Sequence, residues 1–216
     1  MAKYKNGITG SFSGKIGPVV GATNRGVDYM SSLPEKITKP ASVAQQNRRV
    51  IFALVVAWLR PLQKLINLGY QVFTGSKTPM NGAVSYHIKE AVVQDGTGFS
   101  IDFAKAILSR GELLVSFIRS VVLQMDSTLH ITWENGPLSA FCKASDRAGF
   151  VIYNVNKKKF ATFKNVAARS DLAVTLNLPR GYVDDVLHGW MHYVNEKGDQ
   201  VSTSDGAIGC SINSRR

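Results

Sequence analysis

Acidic side chains are scarce in this chain, above all near its start. Residues 1–78 hold only Asp28 and Glu35 against eleven basic residues, a net +9, while the remainder carries +2. Such a segment does not attract cations. It is suited to an anionic counterpart: nucleic acid, an acidic partner or an acidic patch on a neighbouring copy. The plainer reading is a solvated basic face that keeps the protein soluble. Cysteine is also scarce. Cys142 and Cys210 are the only two, too few for a disulfide scaffold, and both are expected to be reduced thiols that behave as small buried apolar residues.

Long apolar runs are missing as well. The longest uninterrupted one is Val50–Leu59, ten residues between Arg49 and Arg60, where a spanning helix needs roughly 20. No membrane span is expected. The start, Met1 to Gly7, is followed by no apolar stretch like a signal-peptide core, so the protein is expected to be leaderless. It is then expected in the cytoplasm or within a virion or other assembled particle.

Signatures of chemistry are lacking too. Gly14-Lys15 fails as a phosphate loop, because Thr9 stands before Gly10 and Ile16 follows the lysine where a hydroxyl is required. No serine occupies a nucleophile elbow. His188 and His192 alternate with Val186, Trp190 and Val194 in a strand-like pattern. At about 3.3 Å per residue they stand about 13 Å apart, too far to hold one ion. We expect neither cofactor nor metal, and no enzyme.

What is present divides into three parts. Residues 1–40 form a basic, glycine-rich arm or a set of short strands, with Gly7, Gly10, Gly14, Gly17, Gly21 and Gly26 interleaved with Ile8, Phe12, Ile16, Val19 and Val20. Residues 41–110 are helical with a connecting segment. Ser42 and Gln45 have capping-box spacing, and Ile51, Phe52, Val55, Leu59, Leu62, Leu65 and Ile66 mark one buried stripe. Pro61 should break that helix near Leu59, and Gly69 should end it in a left-handed turn. A second helix is expected over 82–93, with His87 packed inside.

From residue 111 to the end the period is two. Strands are expected at Leu113–Leu123, around Leu129, Ile131 and Trp133, and at Ala140–Lys143, Phe150–Val155, Phe160–Lys164, Leu172–Leu178, Val186–Val194 and Ala207–Ile212. Turn clusters between them, including Lys157-Lys158-Lys159, describe an antiparallel sandwich with Trp133 and Tyr153 in its core. The fold class is therefore mainly β with a helical segment (α+β).

Two resemblances fit these residues. Ile131-Thr132-Trp133, Val151-Ile152-Tyr153 and Leu176-Asn177-Leu178-Pro179 resemble a fibronectin type III domain, whose corner tyrosine would correspond to Tyr182. That likeness implies a binding and spacing module. Nearly the whole chain also resembles an uncharacterised Bacteroidota family of unknown function. The residues that carry this likeness are Asn6-Gly7-Ile8, Ser13-Gly14-Lys15-Ile16-Gly17, Val19-Val20-Gly21, Gln45-Gln46-Asn47-Arg48-Arg49, Ile101-Asp102-Phe103, Leu108-Ser109-Arg110-Gly111, Asp146 and Tyr153-Asn154. It implies an architecture and no reaction.

The expected function is a non-enzymatic structural protein that self-assembles as a homo-oligomer, like the units of virions, tubes or filaments. Its connecting arm would use Ile8, Phe12, Ile16, Val19 and Val20. The alternative is a nucleic-acid-binding module that meets phosphates through Lys3, Lys5, Lys15, Arg25, Arg48 and Arg49. The same basic side chains would serve an acidic partner.

Overall fold

The computed structural model describes residues 3–4, 10–24, 26–35, 39–72, 77–96, 98–124, 126–182 and 185–210. They fall into two compact units, residues 1–46 and residues 47–216. Within the second unit, side chains from Val55 to Leu108 share a core with Val151, Tyr153 and Trp190.

The first unit is an antiparallel meander of four strands in chain order: β1 Lys3–Tyr4, β2 Phe12–Ile16, β3 Val19–Asn24 and β4 Val27–Ser32. Gly17 and Pro18 connect β2 to β3. Gly17 takes φ +56°, which glycine accepts without strain, and proline supplies the negative φ that follows. The register sets Lys15 opposite Val20, and Ala22 opposite Tyr29. Gly21 lies under Phe12, so closely that a Cβ there would stand 2.3 Å from the Phe12 carbonyl oxygen.

The capping box at Ser42 forms as its spacing implies. The Ser42 N–H donates to Gln45 Oε1 at 3.1 Å, and the Gln45 N–H donates to Ser42 Oγ at 3.3 Å. Helix α1 runs Val43–Leu59, a 3-10 turn at Arg60–Leu62 carries Pro61, and α2 runs Gln63–Gly69. Taken whole, Val43–Gly69 is 27 residues with a mean hydropathy of 1.4 in its most apolar stretch. By length and composition that is enough to cross a membrane, which the ten-residue run did not suggest. Here it is divided at Pro61, and its inward side chains belong to a protein core.

That inward stripe is Val55, Trp58, Leu59, Leu62, Leu65 and Ile66. Phe52, expected within it, is 55% exposed, because burial along α1 begins only at Val55. Gly69 does not turn left-handed either. Instead α2 packs tightly there, and a Cβ would meet the Leu108 carbonyl oxygen at 2.8 Å. Helix α3, Pro79–Glu90, starts earlier than expected, since Thr78 Oγ1 accepts the Asn81 N–H at 3.1 Å and Pro79 opens the first turn. It ends at Glu90, and the chain enters a hairpin that the sequence did not suggest: β5 Val92–Asp95 with β6 Gly98–Ile101.

The remaining strands form a sandwich. One sheet holds β7 Phe117–Leu123, β8 Thr128–Glu134 and β11 Ala173–Asn177, in the order β11-β8-β7. The other holds β9 Arg147–Asn154, β10 Lys159–Ala168, β12 Leu187–Val194 and β13 Asp205–Cys210, in the order β10-β9-β12-β13. This division into three and four antiparallel strands is that of a fibronectin type III-like sandwich, and the class is mainly β with a helical segment. Leu113 to Ser116 precede β7 and join no strand ladder beyond an isolated bridge, Leu113 to Ser202. Ala140–Lys143 is not a strand, because Cys142 pairs back onto Ser139 in a local turn. The expected strand end, Ile212, lies outside the described residues.

The four-stranded sheet is covered on both faces. Between the sheets, Phe150, Ile152, Met191 and Tyr193 meet Ile131, Trp133 and Leu176. On the other face, Val151, Tyr153 and Trp190 meet α1, α2 and α3. Tyr153 therefore faces the helices, not the space between sheets, because alternation puts it on the side opposite Ile152. Trp190 Nε1 donates to the Ala106 carbonyl at 2.8 Å, and Ser109 Oγ donates to the Ser202 carbonyl at 2.8 Å, so the connection after β6 is tied to this layer.

Candidate interaction surface

The structure places the expected arm residues on strands. Phe12, Val19 and Val20 are half-buried within the meander, and Ile16 and Lys15 are exposed. Lys3 lies on β1 opposite Ser13. Lys5, Ile8 and Arg25 lie outside the described residues. Arg48 and Arg49 are exposed on α1, in the second unit. Lys15, Arg48 and Arg49 make no ion pair among the described residues.

The exposed apolar side chains of β4 were not among those expected. On β4, Val27 is 66%, Tyr29 50% and Met30 70% exposed, and no residue of that strand is buried. β4 is also an edge of its sheet, so one row of its backbone donors and acceptors has no strand beside it among the described residues. Phe12, Asp28, Tyr29 and Met30 border a cleft of about 330 Å³. The signal was present in Val27-Asp28-Tyr29-Met30, where apolar residues stand on both faces of a short alternating segment.

In the second unit, the residues that could suggest chemistry have structural partners. His192 is buried, with its ring against Gly149, where a Cβ would lie 2.5 Å from Nε2. Burial lowers its pKa to about 4, and the charge of Lys164 adds to the effect. His188 stacks on Phe103 with centroids 4.6 Å apart, and burial lowers its pKa. His87 packs near Trp58, with Nδ1 2.8 Å from the Ala83 carbonyl oxygen, and burial lowers its pKa too. Cys142 is a buried free thiol, and nothing is described of the Cys210 side chain.

Arg169 and Asp146 form a fully buried ion pair at 3.2 Å. The guanidinium also donates to the Leu114 carbonyl at 2.8 Å and lies 3.7 Å from the centre of the Tyr193 ring. Asp146 Oδ2 accepts the Lys143 N–H at 3.0 Å. This cluster ties the segment before β7 to the start of β9. Asn154 holds the hairpin that follows, donating to Asp185 and accepting the Lys157 N–H at 2.8 Å. Tyr182 is buried between the sheets, with Lys157 above its ring.

A fibronectin type III-like sandwich, backed by helices and accompanied by a basic β-meander, is the class these observations define. The chain belongs to a family of unknown function, DUF6266, which matches residues 11–207. The matched stretch begins just before β2 and ends within β13, so it takes in most of the meander as well as the sandwich. No match to a curated protein was found.

Proposed function

We propose that this protein is a non-enzymatic building block that associates with copies of itself through the meander, with β4 as the contact. One observation carries the reading: β4 is an edge strand whose every residue is exposed, Val27, Tyr29 and Met30 included. An edge with apolar side chains and without proline or lysine is a template for another strand, and monomeric proteins usually blunt such edges.

The test is the mass of the full chain in solution, by light scattering, for the wild type and Met30→Lys. The wild type gives a multiple of 23.6 kDa at high concentration, and Met30→Lys shifts it toward the monomer with unchanged melting of the sandwich. A wild type that stays monomeric at high concentration overturns the proposal. The second reading, phosphate contacts on nucleic acid, rests on Lys15, Arg48 and Arg49 being exposed without ion pairs. It requires oligonucleotide affinity that falls steeply between about 50 and 200 mM salt.

A further inference from the structure

A pocket opens on the second unit, between α1 and the β9–β10 hairpin, independent of the meander. Leu54, Ala57, Trp58 and Pro61 form its helical wall, Tyr153 and Phe160 its sheet wall, and Lys158 its charged rim. Its volume is about 230 Å³. An apolar cavity of about 150 Å³ already accepts benzene, so one ring with a short polar arm fits here.

Two of its groups are weakly committed. Trp58 is 8% exposed, and its indole N–H lies near the Tyr153 hydroxyl without a well-aligned hydrogen bond. The other two tryptophans are satisfied, since Trp133 donates to the Arg169 carbonyl at 3.2 Å and Trp190 to that of Ala106 at 2.8 Å. A buried donor without a well-aligned acceptor is costly, and an acceptor from a ligand would lower that cost. Lys158 likewise has no hydrogen bond or ion pair among the described residues. Its neighbour Lys157 is committed to Asp185 at 3.2 Å and to the Gly181 carbonyl.

The sign of the ligand follows from the rim. Aromatic walls suit either a neutral ring or a cation, but no carboxylate lines the pocket and Lys158 repels positive charge. The geometry points to a small aromatic monoanion as the ligand class: its ring lies against the wall that Trp58, Tyr153 and Phe160 form by packing on one another, and its carboxylate oxygens accept from Lys158 and the Trp58 N–H.

The test is titration of the full, nitrogen-15-labelled chain with 3-phenylpropanoate, observing the three indole N–H resonances. Trp58→Phe identifies the Trp58 resonance. That resonance alone moves and saturates, while those of Trp133 and Trp190 stay fixed. The cation 2-phenylethylammonium moves none of them. Lys158 has φ +52°, which glycine adopts freely, so Lys158→Gly removes the ammonium without harming the turn. It weakens binding about tenfold, the loss of one charge-assisted contact. Ala57→Leu fills the pocket from an exposed helical position and abolishes the shift. No saturable shift at about 10 mM ligand, a response to the cation equal to that of the acid, or unchanged affinity in Lys158→Gly overturns the proposal.

Discussion

Residues 1–46 and residues 47–216 both contain antiparallel strands, yet they bury apolar side chains in opposite measure. Among the described residues, no apolar side chain before Val55 is fully buried. In the second unit, β9 and β12 are buried almost along their length, because their sheet is covered by strands on one face and helices on the other. A few short strands without a covered face are marginal in water. The difference teaches that the second unit carries its own stability, and that the first has apolar surface to offer.

The sharpest way to break that contrast is to truncate one large side chain in each unit. Trp190→Ala removes a ring that joins the sheet to the helices and should cost about 3–5 kcal/mol, measured by urea unfolding. Met30→Ser, on the exposed strand, should stay within about 0.5 kcal/mol in dilute solution. Similar costs at the two sites would end the comparison.

The buried ion pair gives a comparable effect with a different signature. Arg169→Met alone leaves Asp146 buried without its partner and should cost about 3–5 kcal/mol. Adding Asp146→Leu should restore much of that loss, since neither charge then stays desolvated. If the double variant is no more stable than the single, the pair's hydrogen bonds matter more than its charges.

A smaller effect follows from His192, whose folded pKa of about 4 lies below the unfolded 6.5. Above pH 6.5 the ring is neutral in both states, and its contribution is fully present. As pH falls from 6.5 toward 4, the unfolded chain takes a proton that the folded one refuses, and stability declines. At pH 5 the loss should be about 2 kcal/mol relative to pH 7.5. His87 and His188 shift in the same direction, so the share of His192 is the part of this slope that His192→Gln removes. An unchanged slope in that variant would contradict the assignment.

Much of the fold from Ser42 onward was legible in the sequence. The Ser42–Gln45 cap, the break at Pro61 and the β9–β10 turn at residues 155–158 depend on neighbouring residues, and local chemistry decided them. Alternation marked β8, β9 and β12 but could not say what covers each face, so Tyr153 was placed between the sheets. The β5–β6 hairpin escaped because each strand has only four residues, and those of β5 are mostly exposed. Phe52 fits the helical period as well as its neighbours do, and only the point where the core begins excludes it. At the candidate surface, glycine spacing drew notice to β2 and β3, whereas the exposed stripe lies on β4, where no glycine marks it.

Hydrogen exchange of the full chain at two protein concentrations tests the central claim most directly. If β4 is the contact between copies, the amides of Val27–Ser32 that point away from β3 exchange freely when dilute and gain protection when concentrated. Those of β9 and β12 stay equally protected at both concentrations. Protection of all β4 amides in dilute solution, or its absence at every concentration, would contradict the claim.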